Sequence, residues 1–398
     1  MCMCPSDPKE AAGDAAPAAA EAPAAAAPAP APAPAPAANK PPPAPAAARP
    51  PPAAKGPPAA DESNADEDYE AGEGGFAEPV ENKDDQDSML QSVEDIVKGV
   101  EGVTFEQFAE EYFKLDRKGM FNSKTSVEKI TQWKNDLIKT SLLQLPPDLA
   151  SEALQTFRNV TGYMGDRGSS KEPLGHVTKV LASLMLAPEQ LRDEVYCQIC
   201  KQVNRNPDAV SCVRGWQLMV IMLSSFPPST RLKASLTAFC AGKLDDDDVF
   251  VAKYAKYALR RIPRIFDLGP RREIPTQVEL EALKRCGKVT VRVNFLDRKY
   301  IMLQTDSWMT ADEFNKLVAD KLGIMDETPY ALFEVSSEDE ERVLEPDERL
   351  LDLVSYWQRL AVEERKGKGK GAKIQEFQFV YKVSRETRER SELICIYH

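Results

Sequence analysis

Residues 191–208 read LRDEVYCQICKQVNRNPD, and the spacing of their apolar side chains predicts a helix. Leu191, Val195, Ile199 and Val203 recur every four residues, so at 100° per residue they form one slowly turning apolar stripe. Such a stripe packs against a core. The stretch therefore predicts one helix of an all-α domain, and its neighbours decide how large that domain is.

Two cysteines, Cys197 and Cys200, give this stretch the spacing of half a zinc site or of a redox centre. A structural zinc site needs four ligands, and the chain has no second Cys-x-x-Cys and no His-x-x-His. A thioredoxin-type pair begins a helix directly after a strand, and no strand is predicted here. The eight cysteines form no regular framework, which is typical of reduced thiols in an intracellular protein. We predict that both are small buried hydrophobic side chains and that the protein needs no metal or other cofactor.

Helical spacing continues upstream and downstream of this stretch, without the alternation typical of strands. RGWQLMVIMLSSF, residues 214–226, is apolar nearly all round and predicts a central buried helix. VFVAKYAKYALRRI, residues 249–262, predicts a last helix that ends at Pro263. The sequence thus predicts an all-α helical bundle over residues 102–268, followed by a linker over residues 269–286.

The period changes to two near residue 288, where KVTVRVNF alternates apolar and polar side chains. Thr310 and Glu313 then have the spacing of a capping box at the start of a helix. The predicted order of elements is strand, strand, helix, strand, helix, strand, which is that of a ubiquitin-like roll. We predict this small α+β domain over residues 287–384 and a tail over residues 385–398.

Two segments of unusual composition precede the bundle. Residues 1–60 are almost wholly alanine and proline, so they offer nothing to pack and predict a disordered arm. PPPAPAAARPPP, at residues 41–52, has the composition of an SH3-type ligand, but a plain spacer is the favoured interpretation. Residues 61–101 hold 15 acidic and 2 basic residues, a net charge of −13 against −12 for the whole chain. This acidic segment is also predicted to be disordered, and the rest of the chain is close to neutral.

Catalytic and membrane-spanning signals are missing from the sequence. The sequence has two histidines, His176 and His398, so it offers very few candidates for a catalytic histidine. GKGKGAK at residues 367–373 lacks the closing Ser/Thr of a P-loop and predicts a flexible basic hairpin loop. DDDD at residues 245–248 lacks the glycine and closing glutamate of a calcium loop and suits the positive end of the following helix. Because a long apolar run and a secretory signal are also missing, we predict a protein that is not an enzyme and has no transmembrane segment.

Basic side chains form the candidate binding surface. Lys253, Lys256 and Arg260 fall at positions i, i+3 and i+7 of the last predicted helix and form a basic stripe. Lys201 and Arg205, at i and i+4, are a weaker pair of the same kind. The stripe predicts binding of an acidic polymer or acidic peptide, with an ordinary solvated face as the alternative. The net charge does not favour nucleic acid as a partner.

Four stretches resemble one known module in content and order. They are TGYMGD at residues 161–166, LRDEVYCQICKQVNRNPD, RGWQLMVIMLSSFPPS and VAKYAKYALRRI. The resemblance is to the myosin tail homology 4 (MyTH4) domain and spans residues 104–266. This family is an all-helical bundle found in tails of unconventional myosins, in a plant-type calmodulin-binding kinesin and in some motorless adaptors. The roll that follows resembles the first lobe of a FERM domain, in the tandem order in which the two form one supramodule. In this family the helix that carries LRDE is structural, and the resemblance implies no metal.

The resemblance implies a non-enzymatic module of the cytoplasm and cytoskeleton that binds microtubules or cargo and adaptor peptides, alongside a motor in the same pathway. One alternative is the tail of an unconventional myosin or MyTH4-containing kinesin whose ATPase head is absent from this chain. Another is a phosphoinositide-dependent membrane adaptor. A full FERM domain supplies that function with a helical lobe and a PH-like lobe, which the sequence up to His398 does not show. The acidic segment over residues 61–101 also repels anionic lipid. The identity of the partner and the oligomeric state stay open.

Overall fold

The computed structural model describes residues 92–114, 123–368 and 374–384. The predicted Ala/Pro arm, most of the acidic segment, most of the GKGKGAK loop and the tail lie outside the described residues. In the described part a helical region precedes a five-stranded mixed sheet with its own helices, which confirms the predicted fold class. The elements, in chain order, are α1 (Val93–Lys98), α2 (Phe105–Tyr112), α3 (Ser123–Thr131), α4 (Pro147–Met164), α5 (Pro173–Leu184), α6 (Glu189–Val203), α7 (Ala209–Ser225), α8 (Thr230–Ala241), α9 (Val249–Leu268), α10 (Gln277–Leu283), β1 (Val289–Asn294), β2 (Tyr300–Thr305), α11 (Ala311–Leu322), β3 (Tyr330–Ser336), β4 (Glu341–Val343), α12 (Leu350–Lys368) and β5 (Phe377–Val383).

Helix α7 lies at the centre of the helical region, as its uninterrupted apolar sequence predicts. Every residue from Gly215 to Phe226 is buried, and the helix packs against α4, α6 and α9. Gly215 permits the close approach of α6, because a Cβ at this position would lie 2.3 Å from the side chain of Val203. None of the described helices, α7 included, is long and apolar enough to span a bilayer.

The starts of the helices follow local capping rules. Thr104 and Gln107 form the reciprocal bonds of a capping box at α2. The side chains of Asp208, Ser229 and Asp248 each accept a backbone N–H from the first turn of α7, α8 and α9. The DDDD run therefore supplies the N-cap of α9, in agreement with its predicted place at the positive end of a helix.

The start of the helical region and the predicted linker after it both differ from the prediction, because each contains a short helix. Helix α1 lies inside the predicted acidic segment, where Val93 and Ile96 are buried as α1 packs against α8 and α9. The helical region thus begins at Val93 rather than at residue 102. The predicted linker contains α10, whose Leu280 and Leu283 are buried. Helices this short give no readable period, so tertiary contacts are needed to reveal them.

Helix α9 continues through Pro263 to Leu268, so the prediction that it ends at the proline is wrong. The proline ring removes the N–H that would bond to the carbonyl of Leu259, which costs about 3 kcal/mol inside a helix. Ile262 and Ile265, on either side of the proline, are nevertheless buried. Burial of this last turn offsets the lost hydrogen bond.

The sheet has the order β2-β1-β5-β3-β4, with β1 antiparallel to β2 and parallel to β5. The alternation in KVTVRVNF places Val291 and Val293 in the core of the roll, where Phe314 of α11 is also buried. Thr310 and Glu313 form the predicted capping box at the start of α11. Strand β4 has three residues and was not predicted. The predicted roll is otherwise confirmed.

Candidate partner-binding surface and domain junction

The cysteine pair of α6 lies in the core of the helical region. Cys197 and Cys200 are both fully buried and form no disulfide. Burial raises the pKa of both thiols well above the ordinary value, so neither is a ready thiolate. Among the described residues no cluster of histidine, cysteine and carboxylate side chains has the arrangement of a metal site. The prediction that these are buried hydrophobic side chains is confirmed.

The polar residues of the same helix hold neighbouring segments in place. The carboxylate of Glu194 accepts two successive backbone N–H groups from the connection between α3 and α4, at 2.8 and 2.7 Å. The carboxylate of Asp193 accepts the backbone N–H and the hydroxyl of Ser229, at 2.8 and 2.6 Å. The hydroxyl of Tyr196 donates to the carbonyl of Phe226 at 2.5 Å. Burial raises the pKa of both carboxyls. These side chains are structural, as the family resemblance implies.

The proposed pair Lys201 and Arg205 does not form a basic surface. Lys201 is 2% exposed, and its ammonium donates to the carbonyl of Gln132 inside the domain. Burial lowers the pKa of Lys201 to about 8. Arg205 lies beyond the end of α6 with a left-handed backbone (φ 54°) and pairs with Glu128 at 2.6 Å. The prediction of a helical i, i+4 pair is wrong, because α6 ends before Arg205 and the face that carries Lys201 is covered.

Helix α9 presents the predicted stripe on its outer side. Lys256 is exposed, and Lys253 and Arg260 are half-buried. Tyr254 and Ala258, on the opposite side, are buried against α7 and α8. The helical period therefore separates an apolar side from a basic side as predicted, and the three cations share the outer side.

Two further arginines near the C-terminal end of α9 contact the roll. The guanidinium of Arg261 lies 3.3 Å from the carboxylate of Asp306, and both side chains are buried. It also stacks over the ring of Trp308 at 4.5 Å from the centroid. Arg264 donates to the carbonyl of Trp308 at 3.1 Å and pairs with Glu313 at the start of α11. The helix of the binding stripe is thus also the helix that holds the roll.

Trp308 is the centre of this junction. It belongs to the loop between β2 and α11, yet it is 1% exposed and its ring belongs to the core of the helical region. Its indole N–H donates to the carbonyl of Leu223 in α7 at 3.2 Å. Residue 227 is proline, so the helix has no N–H of its own for that carbonyl. The roll therefore satisfies a hydrogen-bond acceptor that the helical region leaves open.

A buried ion-pair network extends the junction through the segment before α10. The side chain of Arg271 is fully buried between Glu279 and Asp352, and its Nε lies 2.5 Å from the Asp352 carboxylate. Burial disfavours its charge, but the two carboxylates outweigh this and raise the pKa of Arg271. Ser307 donates to Glu279 at 2.6 Å. The network therefore links the segment before α10 and α10 itself to α12 of the roll.

The roll also carries an apolar groove of about 1140 Å³ at one end of the sheet. Phe295, Tyr330 and Tyr381 form an aromatic cluster in its wall, in which the two tyrosine rings stack at 5.4 Å. Leu296 and Val383, also in the wall, are 76% and 46% exposed. The wall of the groove thus combines packed aromatic rings with exposed apolar side chains.

The sequence analysis missed the junction residues. Arg261 and Arg264 lie close in sequence to the cations of the stripe, and nothing in their spacing marks them as contacts to the roll. Trp308 offered one signal, since a large aromatic side chain in a turn directly before a capping box is unusual for a solvated loop. The groove arises from residues far apart in the chain and has no local signature.

A helical domain and a ubiquitin-like roll, joined by a buried tryptophan and buried ion pairs, make this a two-domain scaffold. The profile of the MyTH4 domain family matches residues 178–282, and that of the RA-like domain family matches residues 287–385. The chain thus carries a MyTH4 domain followed by an RA-like, ubiquitin-like domain, as MyTH4-FERM myosins and kinesins do.

Several motor proteins are similar to this chain. Kinesin-like protein KIN-14I of Oryza sativa is 32% identical over 218 residues, which cover 53% of this chain and 17% of that protein. Unconventional myosin heavy chain 6 of Caenorhabditis elegans is 31% identical over 184 residues, covering 46% and 9%. The chain spans less than a fifth of the length of these relatives.

Solved structures share the fold. The MyTH4-FERM MF1 domain of Dictyostelium discoideum myosin VII aligns with a TM-score of 0.61 and 24% identity, covering 74% of this chain and 58% of that one. The C-terminal MyTH4-FERM domain of human myosin 7b, solved in complex with the harmonin-a PDZ3 domain, aligns with a TM-score of 0.54 and 24% identity, covering 71% and 55%.

Proposed function

We propose that this protein is a non-enzymatic cytoskeletal interaction module that binds an acidic partner through the outer side of α9. Residues 104–268 contain 23 basic and 19 acidic side chains, although the whole chain has a net charge of −12. A positively charged domain within an acidic chain attracts acidic surfaces over several ångströms. The acidic tails of tubulin on a microtubule fit this requirement, and the similarity to kinesin and myosin tails supports it.

The placement of Lys253, Lys256 and Arg260 on one side of α9 carries the proposal. The opposite side of the helix is buried against α7 and α8, and Arg261 and Arg264 near its C-terminal end are bound to the roll. The stripe therefore lies on an element held from two directions, so its charges are presented in a fixed row. A fixed row of charges adds specificity and association rate more than raw affinity.

We also propose that the acidic segment competes for this stripe within the same chain. Helix α1, which ends that segment, packs against α8 and α9. The acidic residues that precede α1 are covalently linked to this helix, and such a link raises the effective concentration of one group near another. Deleting residues 1–91 preserves α1 and should tighten binding to microtubules. An unchanged affinity would refute the competition.

Co-sedimentation of the full chain with stabilised microtubules, at low and moderate salt, tests the main proposal. We expect salt-sensitive pelleting that weakens on the order of tenfold in the double variant Lys253→Glu/Lys256→Glu. Lys316→Glu on α11 is the matched control, because it reverses an exposed lysine that pairs within the roll. Pelleting that ignores salt and the stripe variant, or that falls equally in the control, would overturn the proposal.

A second candidate function is binding of a cargo peptide in the groove of the roll. The exposed apolar side chains of Leu296 and Val383, beside the aromatic cluster in the wall, favour a peptide with apolar side chains. An apolar fluorescent dye should bind the full chain, and Leu296→Asp/Val383→Asp should remove most of that binding. If the dye binds the variant equally well, the groove is not an accessible apolar site, and the proposal of cargo-peptide binding is refuted.

A further inference from the structure

Three cations lie in or beside the loop between α4 and α5, over residues 165–172. Arg167 and Lys171 lie in that loop, and Lys179 lies on α5. Within the described part of the chain none of the three forms an ion pair. Exposed cations elsewhere do so, as Lys316 does with Asp312 at 2.8 Å. The three cations are therefore not held in ion pairs by the described carboxylates.

A buried histidine fixes the loop. The Oδ1 of Asn159 lies 3.1 Å from Nδ1 of His176, and the Asn159 amide donates to the carbonyl of Gln155. His176 therefore donates from Nδ1, and its Nε2 accepts the hydroxyl of Ser169 at 2.8 Å. The ring fits because residue 162 is glycine, since a Cβ there would lie 2.6 Å from the ring. Hydrogen bonds from Ser169 to His176 and from His176 to Asn159 thus hold the loop against α4 and α5.

The cations are close enough to repel one another. Contact with the ammonium of Lys179 lowers the pKa of Lys171, and the charge of Arg167 adds to this. Burial lowers the pKa of His176, and all three cations lower it further. A site in which each positive group disfavours the next gains free energy when a multiply charged anion enters.

The nearest acidic residues do not serve this cluster. Asp166 accepts bonds from Gln202 and Ser211, at 2.8 and 2.6 Å, which turn its carboxylate towards α6 and α7. Glu172 directly follows Lys171 in the chain, yet it forms no ion pair with any described residue. The two carboxylates of the loop, Asp166 and Glu172, thus form no ion pair with the three cations.

We propose that Arg167, Lys171 and Lys179 form a binding site for a phosphoryl group carried by a partner peptide. Three cations around one short loop match a compact dianion with several acceptor oxygens better than they match a single carboxylate. Arg167 uses three of its donors on backbone carbonyls, at 3.0 to 3.3 Å, which orients its guanidinium and leaves two N–H groups for an anion.

A peptide is the source that the surroundings favour over a lipid surface. Membrane docking needs apolar side chains beside the cations. The fully exposed Leu186 lies beyond the other end of α5, about 18 Å along a helix of 12 residues. The site also stands on α5, which packs against α4 and α7, so it is separate from the stripe on α9 and does not depend on the microtubule proposal.

Fluorescence anisotropy of the full chain with a labelled pentapeptide, Ala-Ala-phosphoserine-Ala-Ala, tests the site. We expect saturable binding of this peptide and not of its unphosphorylated form, with inorganic phosphate competing. Lys171→Gln and Lys179→Gln should each weaken binding about fivefold. The control Lys316→Gln, at an exposed lysine of α11, should leave it unchanged.

A second readout separates binding from folding. In phosphate-free buffer Lys171→Gln should leave the melting temperature unchanged or raise it, because it removes repulsion with Lys179. A loss of peptide binding accompanied by a lower melting temperature would overturn the proposal. So would an equal loss in the Lys316→Gln control, or the absence of saturable binding. Binding only of inorganic phosphate, or only of vesicles containing phosphatidylinositol phosphate, would overturn the assignment to a peptide.

Discussion

Replacing Trp308 with alanine should uncouple the roll from the helical domain. Trp308 is 1% exposed, and its ring fills a space among side chains of the helical core. The substitution leaves a cavity there, removes the indole N–H from the carbonyl of Leu223 and removes the aromatic face beneath Arg261. Because residue 227 is proline, that carbonyl is left without a backbone donor from the helix.

The loss is large compared with the stability of a domain. Deleting a buried tryptophan side chain costs about 3–5 kcal/mol. The orphaned carbonyl adds about 1 kcal/mol or more, and the lost cation–π contact adds roughly 0.5–2 kcal/mol. The total is roughly 5–8 kcal/mol, against about 5–15 kcal/mol for a whole domain. Since the tryptophan belongs to the roll and its partners belong to the helical domain, most of this loss falls on the junction.

Differential scanning calorimetry and guanidinium unfolding followed by circular dichroism measure the effect. The native protein should unfold in one transition, whereas Trp308→Ala should show two, with the roll unfolding first. Trp308→Phe keeps most of the apolar volume and lacks only the N–H donor, so it should lose about 1–3 kcal/mol and keep one transition. A single transition with an unchanged midpoint in Trp308→Ala would refute the view that this side chain joins the domains.

Three further substitutions test the interior of the helical domain. Glu194→Gln should lower the free energy of unfolding in denaturant by about 1–3 kcal/mol. The reason is that an amide has one oxygen for the two backbone N–H groups that the carboxylate accepts. An unchanged unfolding midpoint would show that these bonds contribute nothing to stability. For Lys201, the folded pKa of about 8 lies below the ordinary 10.5, so the folded state loses its proton first and stability gains about 1.4 kcal/mol per pH unit between these values. Buried thiols act in the opposite direction, so the quantity to measure is the difference between native protein and Lys201→Met from pH 7 to 10; a constant difference would mean that Lys201 does not titrate in this range. Gly162→Ala should lower the melting temperature despite the better helix propensity of alanine, because its Cβ would lie 2.6 Å from the ring of His176; a rise would show that the ring moves freely.

Much of the fold could be predicted because the relevant signals are local. The apolar run of α7 predicts its burial on all sides, and the Thr310 and Glu313 pair predicts the start of α11. The stripe of Lys253 and Lys256 also follows from the period of α9 alone. Each of these features depends on neighbours within one or two turns of the same element.

Other features depend on groups far apart in the chain. Lys201 belongs by spacing to a basic surface, yet its ammonium meets a carbonyl 69 residues earlier in the chain. Pro263 signals the end of a helix, and only the burial of Ile265 keeps α9 intact beyond it. Trp308 lies in a loop, and the groups that bury it belong to the helical domain.

The sequence by itself therefore determined which segments are helical, where most of them begin, where the sheet follows, and which side of α9 is basic. Propensity, capping and periodicity act over a few residues, so they can be read in order along the chain. Tertiary structure alone decided that Arg261 and Arg264 bind the roll while Lys256 remains exposed, and that the loop of Trp308 enters the helical core. The physical reason is that a long polar side chain or a loop aromatic takes its role from the groups that packing brings beside it, and those groups lie dozens of residues away.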